Sequence, residues 1–166
     1  MRVIGIDPGV AVTGFAVIEG TSGRLRPVAM GVVRTAREDA PGRRLATLQE
    51  RLGGVLRTHS PRVAAVERVF FSANVKTAMA VGQASGIVLA EAARQGVVVS
   101  DYTPLEVKQA VVGFGGAPKL QVQAMVARLL GLSAPARPSD VADACALAIC
   151  HLNRAGLAAA LRGATA

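Results

Sequence analysis

Arg2-Val3-Ile4-Gly5-Ile6-Asp7-Pro8-Gly9 opens the chain, and how it is read decides the fold. Val3-Ile4-Gly5-Ile6 is a continuous apolar run that describes a buried strand. Pro8-Gly9 stops it in a turn and leaves Asp7 at its carboxyl end. Two further β-branched or apolar runs, residues 13–19 and 25–33, are separated by Gly20-Thr21-Ser22-Gly23. Three strands joined by tight turns pair as an antiparallel meander. The period then changes: Leu45, Leu48, Leu52, Val55 and Leu56 recur at helical spacing, giving an amphipathic helix of about four turns. After Pro61, Val63-Ala64-Ala65-Val66-Glu67 reads as a buried strand reached by a crossover, and so parallel to one of the first three. A long helix over residues 74–95 and a strand over 97–100 follow, then helices over 104–111, 119–130 and 139–154. Gly113-Phe114-Gly115-Gly116 and Ala134-Pro135-Ala136-Arg137-Pro138 separate these last helices. The order predicts an α/β domain with a mixed five-stranded sheet.

Length and composition agree with one such domain. The chain has 166 residues, 51% hydrophobic and 18% charged, enough for a single core. Residues 1–157 are expected to form it, with 158–166 a fraying tail. Lys and Arg number 19 against 11 Asp and Glu, a formal net charge of +8 with a pI of about 11.0, so the expected partner is a polyanion such as nucleic acid. A mean hydropathy of +0.40 raises the question of a membrane. The longest uncharged run, 77–90, is 14 residues, whereas a span needs about 20. Asp7 interrupts the N-terminus before a secretory apolar run develops, which points to the cytoplasm. Cys145 and Cys150 have neither metal-ligand nor redox spacing and read as small core residues.

The acidic residues divide unevenly. Glu19, Glu38, Asp39, Glu50, Glu91, Asp101 and Glu106 lie among polar neighbours, where a solvated surface is the plain reading. Asp7 and Glu67 instead end apolar strands, at the sheet edge where α/β folds bind ligands. Asp140 and Asp143 lie i,i+3 in the first turn of the last helix and share one face. Each has a bland alternative: an Asx turn at Asp7, an arginine pair at Glu67, a helix dipole at the last two. All four together are harder to dismiss. If strands one and four are neighbours, Asp7 and Glu67 come within a few ångströms. Such a cluster repels itself and a phosphate backbone unless cations sit within it. Oxygen ligands without His or Cys suit Mg²⁺ or Mn²⁺, and a pair of ions offsets four charges, the arrangement of two-metal phosphoryl chemistry.

Gly5-Ile6-Asp7-Pro8-Gly9 with Thr13-Gly14, Val66-Glu67-Arg68-Val69-Phe70, Val107-Lys108-Gln109 and Ser139-Asp140-Val141-Ala142-Asp143-Ala144 together closely resemble the RuvC family of Holliday-junction resolvases. The match runs in order from Met1 to about His151. The resemblance implies a ribonuclease H-like fold and a homodimer that cuts two opposed strands of a four-way DNA junction with Mg²⁺, leaving ligatable nicks. Asp7, Glu67, Asp140 and Asp143 are then the metal-binding carboxylates. Lys108 and Lys119, two of only three lysines beside sixteen arginines, match lysines that the family places near the scissile phosphate. Phe70 aligns with an aromatic used beside the junction bases, and Arg68 belongs to the same DNA-binding segment. A branch-migration complex of the RuvA and RuvB type is the implied partner. One departure is Asp143-Ala144-Cys145-Ala146, where the family commonly reads Asp-Ala-Leu-Ala. Ala78, Gly82, Gly86 and Ala90 form a stripe of small residues along the long helix. Each helical glycine costs about 1 kcal/mol relative to Ala, so close packing is expected there, on the chain's own sheet or on a symmetry mate. The family's dimer interface includes this helix. Two other readings compete: an actin-like or sugar-kinase-like ATPase, which needs a second domain, and a nuclease-fold protein acting on structured RNA.

Overall fold

The computed structural model describes residues 1–21, 23–68 and 75–164. Its elements are β1 (Arg2–Asp7), β2 (Val12–Thr21), β3 (Arg24–Arg34), α1 (Pro41–His59), β4 (Val63–Glu67), α2 (Val75–Arg94), β5 (Val98–Tyr102), α3 (Pro104–Val112), α4 (Lys119–Leu129) and α5 (Ser139–Ala164). The sheet order is β3-β2-β1-β4-β5. β1, β2 and β3 pair antiparallel, β4 adds parallel to β1, and β5 adds parallel to β4. The expected mixed sheet is present with β1 at its centre. Pro27, which cannot donate to a ladder, sits in the edge strand β3 where the register shifts between Val17 and Ile18.

β1 reads as continuously apolar because both of its faces are covered. Ile4 and Ile6 pack with Leu52 and Leu56 of α1 and Val88 and Ala92 of α2. Val3, Ala16 and Ile18 pack on the other face with α5 and with Val107, Val122 and Val126 of α3 and α4. α5 lies unusually close to the sheet. A Cβ on Gly5 would meet the Ala144 carbonyl oxygen at 1.9 Å, and one on Gly14 would meet the Asp140 carbonyl oxygen at 2.1 Å. Two glycines in adjacent strands, Gly5 facing Ala144 and Ala148 and Gly14 facing Asp140, therefore set the depth at which that helix docks.

Some expectations need correction. Glu91, read as solvated, is wholly buried between α1 and α2. Its carboxylate accepts hydrogen bonds from Arg94 (2.7 and 3.0 Å), Gln95 (2.6 Å) and, across the helix pair, Gln49 (3.4 Å). Gly53 leaves the room it occupies, since a Cβ there would lie 2.4 Å from Glu91 Oε1. Burial is tolerated because the charge is paired and hydrogen-bonded. α5 also continues to Ala164, past the expected end near Arg154. Leu157 in this last stretch is exposed. Cys145 and Cys150 are buried as expected, and Cys145 Sγ lies 3.4 Å from Met30 Sδ.

Candidate active site

Ile6 of β1 lies opposite Val66 of β4 in a parallel ladder, so Asp7 and Glu67, one residue further along each strand, leave the sheet side by side. The turn after β1 is closed by Thr13, not by Asp7. Thr13 Oγ1 donates to the Gly9 carbonyl at 2.7 Å and accepts from the Gly9 amide at 3.2 Å. This frees the Asp7 carboxylate from the Asx-turn role. The close approach of α5 to Gly14 brings Asp140 and Asp143 to the same edge, and α4 brings Lys119, whose Nζ donates to Asp143 Oδ2 at 2.6 Å. Glu67, Asp143, Lys108 and Lys119 line one cleft of about 270 Å³, whose apolar walls include Val107, Val122 and Leu147.

The electrostatics report how crowded this edge is. Burial, followed by the charges of Asp143, Glu67 and Asp140, pushes Asp7 up to about 7, and Lys119 only partly opposes them. Burial and then Asp143 raise Glu67 above the usual carboxylate range as well. The hydrogen bond to Asp143 raises Lys119, with Asp7 and Asp140 adding to the effect. Lys119 thus stays a firm cation among acids.

The donor set is all oxygen and carries more negative charge than one lysine offsets, which fits a hard divalent cation. Among the described residues, no three Asp, Glu, His or Cys side chains converge closely enough to enclose an ion as they stand. Repulsion among the carboxylates, and the hold of Lys119 on Asp143, are sufficient physical reasons for that spread.

A family model for crossover junction endodeoxyribonuclease RuvC matches residues 3–151. The chain belongs to the RuvC family. The crossover junction endodeoxyribonuclease RuvC of Moorella thermoacetica is 50% identical over 153 residues, 92% of each chain. That of Salinispora arenicola is 50% identical over 165 residues, 99% of this chain and 94% of the relative. Among solved structures, Thermus thermophilus RuvC in complex with Holliday junction substrate superposes with a TM-score of 0.90 at 38% identity, covering 95% of this chain and 96% of that one. A yeast mitochondrial Holliday junction resolvase, 16% identical with a TM-score of 0.65, shares the fold. The RuvC assignment makes the chain a metal-dependent nuclease of recombination and repair, a hydrolase with the ribonuclease H-like architecture expected from sequence.

The remaining expectations for the RuvC site meet different surroundings. Arg68 is exposed and ion-paired with Asp101 of β5, also exposed. Phe70 lies outside the described residues. Gly82, Gly86 and Ala90 face outward, and nothing lies within 4 Å of a Cβ built on either glycine. They are therefore not packing on their own sheet. Val75, Met79 and Leu89 are exposed on the same helix, so 75, 79, 82, 86 and 89 alternate steps of four and three along one apolar seam. Gly5 and Gly14 have their role in the approach of the distant α5, and Thr13 has its role in the local turn with Gly9. No helix among the described residues is long and apolar enough to cross a membrane.

Proposed function

We propose that this chain resolves four-way DNA junctions as a homodimer in the cytoplasm, by paired hydrolytic incisions that leave ligatable nicks. Asp7, Glu67, Asp140 and Asp143 hold two divalent cations, Mg²⁺ with Mn²⁺ able to substitute. The observation that carries this reading is the gathering of four carboxylates from three elements at one sheet edge of a chain with net charge +8. Such an edge repels DNA unless its charge is offset, and the family's Holliday junction complex superposes over nearly the whole chain.

Bound divalent ions supply activation of the attacking water and stabilisation of the leaving 3′ oxygen. The chain's own residues do the rest. Asp7 holds a proton near neutral pH while its neighbours' charge is uncompensated. Lys119 keeps Asp143 paired, and with Lys108 it lines the cleft where positive charge would face the developing charge on the phosphate. Phe70 and Arg68 contact the DNA beside the cut. The seam of Ala78, Gly82 and Gly86 on α2 meets its symmetry mate, so that two sites face the two equivalent strands of a junction. A branch-migration complex of the RuvA and RuvB type delivers the substrate.

The test is a junction-resolution assay on a synthetic four-way junction, with Mg²⁺ and with chelator, reading cut positions on all four strands. Paired cuts on opposed strands, present with Mg²⁺ and lost with chelator, are expected. Cleavage of structured RNA in preference to the junction, or cutting that persists in chelator, refutes the reading.

A further inference from the structure

The chain has four Phe, one Tyr and no Trp. Among the described aromatics, Tyr102 is buried and Phe15 packs partly into the core, whereas Phe114 is 63% exposed. An exposed ring is scarce enough in this protein to ask what it meets. Phe114 occupies the loop between α3 and α4, the two helices that carry Lys108 and Lys119 to the cleft. Leu105 and Leu120, beside those lysines on the same helices, are likewise exposed, at 65% and 79%.

The loop holds the ring in place rather than letting it swing. Gly113 ends α3 in the left-handed region at φ +78°, and its amide donates to the Gln109 carbonyl. The Ala117 amide donates to the Phe114 carbonyl, and Ala117 itself is fully buried. A Cβ on Gly116 would lie 2.7 Å from Phe114 Cζ, so the ring rests on bare backbone. A Cβ on Gly115 would meet Leu105 Cγ and Cδ1 at 3.0 Å, so Leu105 packs on the loop in the same way. Two successive glycines therefore support two exposed apolar side chains.

We infer that Phe114 is a DNA-contacting residue whose ring stacks on a nucleobase next to the cleaved phosphodiester. This rests on the proposed junction-cutting activity. The ammonium groups of Lys108 and Lys119 attract the phosphates of a strand entering the cleft, and the aromatic face on the loop that joins their two helices takes up a base that the strand presents. Leu105, packed on the same loop, shields that stack from water. A base already unpaired or loosely stacked, as near a branch point, gives the most from such a contact. The ring is a binding group, and the cleavage chemistry stays with the carboxylates.

The experiment uses the purified full chain and a four-way junction carrying 2-aminopurine at the nucleotides flanking the cut, with binding read in the Asp7→Asn background. Wild-type Phe114 quenches the probe at one flanking position. Phe114→Ala removes that quench and weakens junction binding about tenfold, with the single-turnover rate at saturating junction within about threefold, and Phe114→Trp restores both quench and affinity. The salt dependence separates the roles. Phe114→Ala leaves the slope of log Kobs against log salt unchanged, while Lys108→Ala reduces it by about 0.9. If Phe114→Ala matches wild type in affinity and quench while the wild type cuts normally, or if it changes only the oligomeric state, the inference is wrong and the junction activity stands. A wild type that neither binds nor cuts the junction overturns the activity and this inference together.

Discussion

Asp7 is a buried carboxylate at the end of a central strand, pushed up to about 7 by burial and by three acidic neighbours. Its ionised form therefore opposes folding when no cation is present. A carboxyl raised above its unfolded value of 3.8 leaves stability intact below about pH 4 and removes it progressively as pH rises to about 7. The contribution of this one group should accordingly cost metal-free protein on the order of a few kcal/mol across that window. Asp7→Asn should raise the melting temperature of the chelator-treated protein at pH 7 by several degrees and flatten the pH dependence. The same variant should bind a four-way junction normally and cut it at least about 10³-fold more slowly. Thermal melts in chelator across pH 4 to 8, beside a cleavage gel, check both parts; a metal-free variant no more stable than wild type at pH 7 counts against the crowded-carboxylate account. Lys119 is the counterweight. Lys119→Ala leaves Asp143 without its 2.6 Å partner, and incision should fall about 10²-fold, the scale of removing one charged stabilising group. Single-turnover cleavage at saturating junction measures it.

At the scale of elements, α5 delivers two of the four carboxylates only because β1 and β2 present glycines beneath it. Gly14→Ala introduces a Cβ 2.1 Å from the Asp140 carbonyl oxygen, a backbone contact that no rotamer change relieves. The helix must shift, so we expect stability to fall by about 3 kcal/mol or more, and incision to fall far more than the surviving folded fraction explains. Comparing denaturant midpoints with the cleavage rate per folded molecule separates the two. The α1–α2 pair depends on Glu91 in a different way. Arg94, Gln95 and Gln49 hold its carboxyl below the usual range, so its contribution is present above about pH 4.5 and is lost as pH falls through the lowered value. Glu91→Ala should cost about 2–3 kcal/mol at pH 7, with the difference from wild type shrinking in acid. Urea unfolding at pH 7 and pH 4 tests this. These two cases show what sequence carries and what it does not. Strand runs, the change to helical period and carboxylates ending apolar strands are local patterns, and they gave the sheet and the acidic candidates. Glu91 sits beside Arg94 and Gln95, which look the same in sequence whether they satisfy a buried acid or a solvated one. Gly5 and Gly14 owe their role to a helix more than 120 residues away, a contact with no local signature.

At the scale of the whole molecule, the sheet edge and the outer face of α2 pose one question, since a junction has two strands to cut and each chain has one acidic cluster. Val75, Met79, Gly82, Gly86 and Leu89 follow each other in steps of four, three, four and three, the spacing of a helix seam that meets another helix. In the single chain this seam is exposed. The two glycines lack the Cβ that would hold a partner away, and each costs its helix about 1 kcal/mol, which the proposed helix–helix contact would offset. Gly86→Glu places a charge and a long side chain in that seam without touching the chain's own core, because nothing lies within 4 Å of a Cβ built there. The variant should keep its melting behaviour within about 1 kcal/mol, apart from what dimerisation adds, and should sediment as a monomer at micromolar concentration where the wild type should sediment as the proposed dimer. Each monomer retains its own carboxylates and lysines, so nicking should continue, while the second cut on the opposed strand loses its coupling to the first. A supercoiled plasmid bearing an extruded cruciform resolves the outcomes: the wild type yields linear product from paired cuts, whereas Gly86→Glu should accumulate nicked circles and form linear product at least about tenfold more slowly. Linear product at the wild-type rate from a sedimenting monomer would separate paired cutting from this seam.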